Sequence, residues 1–105
     1  MNMLNSVILE GRVSEIAKFI DGIEVVVESD RNVRNSEGVV EIVSEKFTGK
    51  AFGNLMKFID ERVKIGKVIR IVGRLSERIW KDLEGENHST TVIIIEHLEV
   101  KNCEK

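Results

Sequence analysis

From Val7 to Val13 apolar and polar positions alternate: Val7, Leu9, Gly11 and Val13 share one side, and Ile8, Glu10 and Arg12 the other. A period of two marks a strand with one buried face, so a first strand is expected from Leu4 to Val13. Gly11 within it suggests a bulge or tight bend. "SEIAKFIDG" reads as a connection ending in a turn at Asp21-Gly22. "IEVVVES" restores the alternation, with Ile23, Val25 and Val27 inward. "DRNVRNSEG" is polar and is expected to be a hairpin loop carrying Arg31 and Arg34. "VVEIVSEKFTGKAF" is a long third strand. Near its end Phe47, Gly49 and Ala51 share the inner side, and Lys46, Thr48, Lys50 and Phe52 the outer.

The period then changes. In "GNLMKFIDERVKIG", Leu55, Ile59 and Arg62, and also Met56, Ile59 and Val63, recur at helical spacing. Asn54 is expected as the N-cap and Gly66 as the C-terminal cap glycine. Alternation returns in "VIRIVGRLSERIWK": Ile69, Ile71, Gly73 and Leu75 form a core row, while Val68, Arg70, Val72, Arg74, Ser76, Arg78 and Trp80 form the other. "DLEGEN" turns the chain, and "HSTTVIIIEHLEV" is a fifth strand. Val92 to Ile95 is apolar on both parities, so that strand is expected to be buried on both sides, by core or by a partner subunit. The order β-β-β-α-β-β predicts an all-β domain with one helix, a five-stranded Greek-key barrel of the OB-fold type over residues 1–100, followed by a short polar tail at 101–105. Such barrels commonly bind oligonucleotides or oligosaccharides, so the fold supplies a site without naming its ligand.

At 105 residues there is room for one domain with a modest core. The formal net charge of −2 does not by itself point to nucleic acid; the placement of the positive groups must decide. Cys103 is the only cysteine, so no internal disulfide forms. The N-terminal residues lack the basic and apolar regions of a signal peptide, and no apolar run is long enough to span a membrane. A soluble cytoplasmic protein is the expectation.

The row of Arg70, Arg74, Arg78 and Trp80 admits two readings. The tryptophan can pack over the barrel rim beside solvated arginines. Alternatively, arginines neutralise a phosphate backbone while the indole offers a base a surface, a contact of about 1–3 kcal/mol per base. The third strand favours the second reading, because Lys46, Thr48, Lys50 and Phe52 again combine cations with an aromatic on an outer row. Arg12, Arg31, Arg34 and Lys81 add positive groups on neighbouring strands and loops. Glu24 and Glu28, on the outer row of strand two, oppose a uniformly positive groove.

These residues also carry a family resemblance. "NSVILEGRV" resembles the opening strand of bacterial single-stranded DNA-binding proteins. "KAFGNLMKFIDERVKIGKVIRIVGRLSERIWKD" is similar to their third-strand end, helix and fourth strand, and "EGENHSTTVIIIEHLEV" to their closing hairpin and fifth strand. The resemblance implies an OB-fold that wraps single-stranded DNA as a homo-oligomer, usually a tetramer with a dimer as the alternative, in replication, recombination and repair. It implies that Phe52 and Trp80 stack on bases. Lys46 and Arg70 stand where the family often has aromatics, so phosphate contacts are expected to replace stacking there. Phe47 is one residue from an expected aromatic position. The family usually continues into a flexible linker and an acidic tail; this sequence stops at "VKNCEK", so the tail's role in recruiting replication proteins does not carry over.

Other chemistry is sparse. His88 and His97 lie nine residues apart on one expected strand, an odd offset that puts them on opposite faces and makes them poor co-ligands for a metal. There is no phosphate-loop or dinucleotide glycine pattern, and Asp60-Glu61 and Glu84-Glu86 read as surface carboxylates. No enzyme, cofactor, metal or membrane partner is expected. The alternative function is a protein-interaction module of a replication-restart complex, like primosomal replication protein N.

Overall fold

The computed structural model describes residues 2–101. It contains β1 (Val7–Lys18), β2 (Ile23–Arg34), β3 (Val40–Ala51), α1 (Gly53–Arg62), β4 (Val68–Lys81) and β5 (Asn87–Lys101). The strands close into a barrel in the order β1-β2-β3-β5-β4, the predicted OB-fold. β1 makes the closure possible: its residues 7–12 pair with β4 and its residues 12–18 with β2. The inward rows supply the core, including Val13, Ile23, Val25, Val27, Ile69, Ile71 and Ile95. α1 contributes Ile59, fully buried, and Val63 just past its end.

Two glycines let strands approach closely. A Cβ on Gly11 would collide with the Glu28 carbonyl oxygen, and one on Gly73 with that of Ile94. The bulges themselves lie elsewhere. In β1 the extra residue is Ser14, between the pairs Val13–Val27 and Glu15–Val26. In β5 it is Glu96, between the partners of Val72 and Gly73.

The bulges explain two departures from the sequence reading. β1 does not stop at Val13 but runs to Lys18. Ser14 breaks the alternation, so "SEIAK" reads as a connection, yet Ile16 returns to the core side opposite Val25. Likewise, Glu96 shifts the parity of β5. His88 pairs with Trp80 and His97 with Val72, both on the outer row of β4, so the two histidines share a face rather than opposing each other. Nine residues of strand still separate them by roughly 30 Å.

Other differences concern ends of elements. β2 continues through the expected loop to Arg34, so Arg31 and Arg34 lie on a paired strand, opposite Val43 and Val40. Backbone pairing needs no apolar side chains, and the turn is built locally: the Asn35 side-chain oxygen accepts the amides of Glu37 and Val39. The N-cap of α1 is Phe52, without a side-chain capping bond, not Asn54. The helix ends at Arg62, and Gly66 lies beyond its cap at Val63. Gly66 instead gives its amide to the Val13 carbonyl at 2.8 Å, while Val13 gives its own to the Lys67 carbonyl at 2.9 Å; this docks the α1–β4 turn onto β1. Leu75, expected in the core row, is 48% exposed because β4 has passed the barrel there. Val92, Ile93 and Ile95 are buried and Ile94 is half-buried, close to the two-sided burial expected of strand five.

Candidate nucleic-acid interface

β4 and β5 outlast the barrel. The last β4 residue paired with β1 is Gly73, and β3 meets β5 only at Ile93 and Ile94. Beyond those points the two strands pair with each other alone, as an arm that runs to Lys81 and Asn87. A second arm forms where β2 and β3 pass Glu28, the last β2 partner of β1.

Trp80 stands near the tip of the first arm on the outer row. Its indole stacks on the His88 imidazole, with centroids 4.6 Å apart and planes 22° from parallel. The indole Nε1–H donates to Thr90 Oγ1 at 2.9 Å. The turn below is tied by Asp82, whose Oδ1 accepts the amides of Glu84 and Glu86, each at 2.9 Å. Its Oδ2 lies 2.8 Å from His88 Nε2. The hydrogen bond from His88, followed by the backbone amides, holds the Asp82 carboxyl below the ordinary aspartate range. Trp80 nevertheless stays 45% exposed, a large apolar ring held in place and open to a ligand.

The second aromatic lies at the end of β3. Phe52, also 45% exposed, opens α1. Lys50 Nζ lies 5.4 Å from its ring centroid and 5.9 Å from that of Phe19, within cation–π range of both. Lys50 pairs across the sheet with Glu24, Thr48 with Val26, and Lys46 with Glu28.

Glu24 joins the two rows. Its Oε2 lies 2.9 Å from Arg78 Nη1, and its side chain is only 17% exposed. Arg78 comes from the Trp80 row and Glu24 from the strand beside Lys50, so the arm leans toward the outer face of β2–β3. Trp80, Arg78, Lys50 and Phe52 thereby belong to one side of the molecule.

The remaining predicted cations are dispersed. Arg70 lies at the far end of its row, 3.1 Å from Glu10 and 3.7 Å from Glu99, beside Ile8, Val72 and His97. Glu10 is held below its ordinary pKa, first by the Lys101 ammonium and then by Arg70. Arg74 pairs with Glu96, Arg12 with Asp30 and Arg31 with Glu45. Arg34 donates to the Gly38 carbonyl at 2.8 Å. Lys81 follows Trp80 and therefore takes the opposite face of β4. Among the described residues, no carboxylate lies within 4.0 Å of Lys46, Lys50 or Lys81. The lysines are thus the open cations, and the arginines are mostly matched. Phe47 keeps the parity of Gly49 and Ala51, because β2 and β3 pair without a shift.

Sequence reasoning missed Phe19, His88, Thr90 and the bridging role of Glu24. His88 carried a readable signal: the short turn after Trp80 sets the hairpin register that places it opposite the indole. Phe19 was obscured by the bulge at Ser14.

Comparison with known proteins agrees with this architecture. A search of curated proteins finds no match. The structure is similar to a Plasmodium falciparum single-stranded DNA-binding protein solved with single-stranded DNA, at 18% identity and a TM-score of 0.85, covering 97% of this chain and 98% of that one. It is similar to a small single-stranded DNA-binding protein from Mycoplasma pneumoniae, at 25% identity and a TM-score of 0.69, covering 98% and 97%. It also matches a deletion mutant of the Thermus aquaticus single-stranded DNA-binding protein at 16% identity and a TM-score of 0.79, covering 94% of this chain but 51% of that one. The model of the single-strand binding protein family matches residues 4–101, nearly the whole chain, and the protein belongs to that family.

Proposed function

We propose that this protein binds single-stranded DNA with little dependence on sequence, in replication, recombination and repair, and that it is a binder rather than an enzyme. Bases stack on Trp80 and Phe52. Lys46 and Lys50 meet phosphates directly, Lys81 does so from the other face of the arm, and Arg74 and Arg78 do so by exchanging a carboxylate for a phosphate. The observation that carries this reading is the Arg78–Glu24 bridge, which puts the Trp80 row and the Lys50–Phe52 row on one side. Exchange at the arginines is inexpensive, because exposed ion pairs contribute only about 0–1 kcal/mol each. Arg12, Arg31, Arg34 and Thr48 extend the contact along the second arm and β3, while Arg70 takes part only if it leaves Glu10 and Glu99.

The protein acts as a homo-oligomer, a tetramer or a dimer, in the cytoplasm. Support comes from the outer side of β1 and β4, where Ile8 is 72% exposed beside Val72 and His97. Light scattering at micromolar concentration is expected to give a multiple of the chain mass; a monomer overturns this part.

The test of binding follows Trp80 emission during titration with oligo-dT at low and moderate salt. Strong quenching that salt reverses is expected, since each neutralised phosphate lowers log K by about 0.7 per decade of salt for a single strand. No binding at low salt in a label-free assay overturns the reading. One observation favours a second role as a protein-interaction module: five of the predicted arginines already face carboxylates. Recovery of a replication protein after nuclease treatment, without DNA affinity, supports that role instead.

A further inference from the structure

Trp80 is the only tryptophan in the chain, and His88 lies directly across the β4–β5 pair from it. With the imidazole stacked at 4.6 Å, one indole face is covered, and a base can use only the other. The edge is fixed as well, by the hydrogen bond to Thr90. Behind His88 stands Asp82, which is itself held by the turn amides. The turn, the carboxylate, the imidazole and the indole therefore form one connected column.

We propose that His88, backed by Asp82, is a positioning residue for the Trp80 stacking site, which presents one indole face to a single base and tightens that contact when the imidazole takes up a proton. The inference rests on the single-stranded DNA reading above.

The chemistry follows from the contacts. An ionised carboxylate only accepts hydrogen bonds, so His88 Nε2 carries a hydrogen toward Asp82 and the neutral ring keeps its lone pair at Nδ1. The additional proton goes to Nδ1, leaving the Asp82 bond in place and adding a charge to the ring beneath the indole. An imidazolium against an indole face gains a cation–π attraction. It also strengthens the pair with Asp82 and puts a positive charge behind a base whose phosphates are negative. Histidine is the side chain that ordinarily changes charge between pH 5 and 8.

Few other charges act on this ring. Asp82 faces it from the turn. From β4, Trp80 lies opposite, and Arg78 is next along the row, matched by Glu24 of β2. On β5 its neighbour in the row is Thr90. His97, the only other histidine, sits opposite Val72 at the far end of the row.

The experiment uses the full chain, with Trp80 emission and label-free affinity for oligo-dT measured from about pH 8 to about pH 5.5 at fixed ionic strength. Thymine does not titrate in that range. In the free wild-type protein, emission is expected to change as pH falls, and H88Q removes the change. Affinity of the wild type rises about two- to fivefold more than that of H88Q over the same range. H88F keeps a ring against the indole but has no titrating nitrogen, so it also loses the response. If wild type, H88Q and H88F all bind oligo-dT with the same pH profile, the positioning role is overturned and the DNA reading stands. If the wild type binds no DNA at any pH, the DNA reading is overturned and the positioning role goes with it.

Discussion

The barrel and its two arms are made from the same strands but held by different physics. Within the barrel each strand has two partners and an inward apolar row: Val25, Val27, Ile69 and Ile71 are fully buried. In the arms each strand has one partner, and most side chains meet solvent. Their side-chain ties are exposed: Arg31–Glu45, Ser44–Asp30, Ser89–Glu77 and the Asn35 and Asp82 turns. A lone hairpin is marginal in water, so the arms depend on the barrel for their base. The difference teaches where binding chemistry can be placed. A large aromatic or an open cation in the barrel interior would cost core packing, whereas on an arm, or on the outer face of the barrel where Lys50 and Phe52 sit, it costs little.

The sharpest way to break that contrast is a core cavity. Ile71→Ala is expected to lose about 2–5 kcal/mol of stability in urea unfolding, with DNA affinity preserved in the fraction that stays folded. Gly73→Ala comes next. Its Cβ meets a backbone oxygen that cannot rotate away, and a loss of about 1–3 kcal/mol is expected. Trp80→Ala reverses the pattern: unfolding moves by only about 0.5 kcal/mol, while oligo-dT affinity falls by about 1–3 kcal/mol. An arm residue that controlled stability as strongly as Ile71 would abolish the distinction.

Smaller effects sharpen the comparison at the point where arm and barrel touch. Glu24→Gln releases Arg78 for phosphate, so affinity is expected to rise by at most about 1 kcal/mol, with a steeper salt dependence in the same titration. The smallest effect is in acid. Asp82 and Glu10 have folded pKa values below their ordinary ones. Their contribution is therefore complete above the usual carboxylate range and is lost as pH falls through it, below about pH 4. Because Asp82 closes the arm beneath Trp80, emission should change in acid before far-ultraviolet circular dichroism reports loss of the barrel.

Much of the fold was legible because period-two alternation survives wherever a strand is buried on one face. Ile23, Val25, Val27, Ile69 and Ile71 announce themselves in this way, and Ile59 and Val63 mark the helix. The alternation fails at Ser14 and Glu96, where one extra residue reverses the parity. There the sequence reading shortened β1 and put His88 and His97 on opposite faces. It failed again in the β2–β3 arm, where pairing is carried by backbone groups that leave no trace in side-chain polarity.

The candidate site divides along the same line. Sequence by itself determined the element order and the outer rows that carry Trp80 and Phe52, because those depend on local periodicity. Only the tertiary structure decided which charges remain open. Arg70 reaches Glu10 from another strand, Arg78 reaches Glu24 across a separation of 54 residues, and His88 meets Trp80 through the hairpin register. Ion pairing and ring stacking depend on distances of a few ångströms between side chains remote in the chain. Those distances are fixed by barrel closure, bulges and strand coiling, none of which can be read from one strand alone.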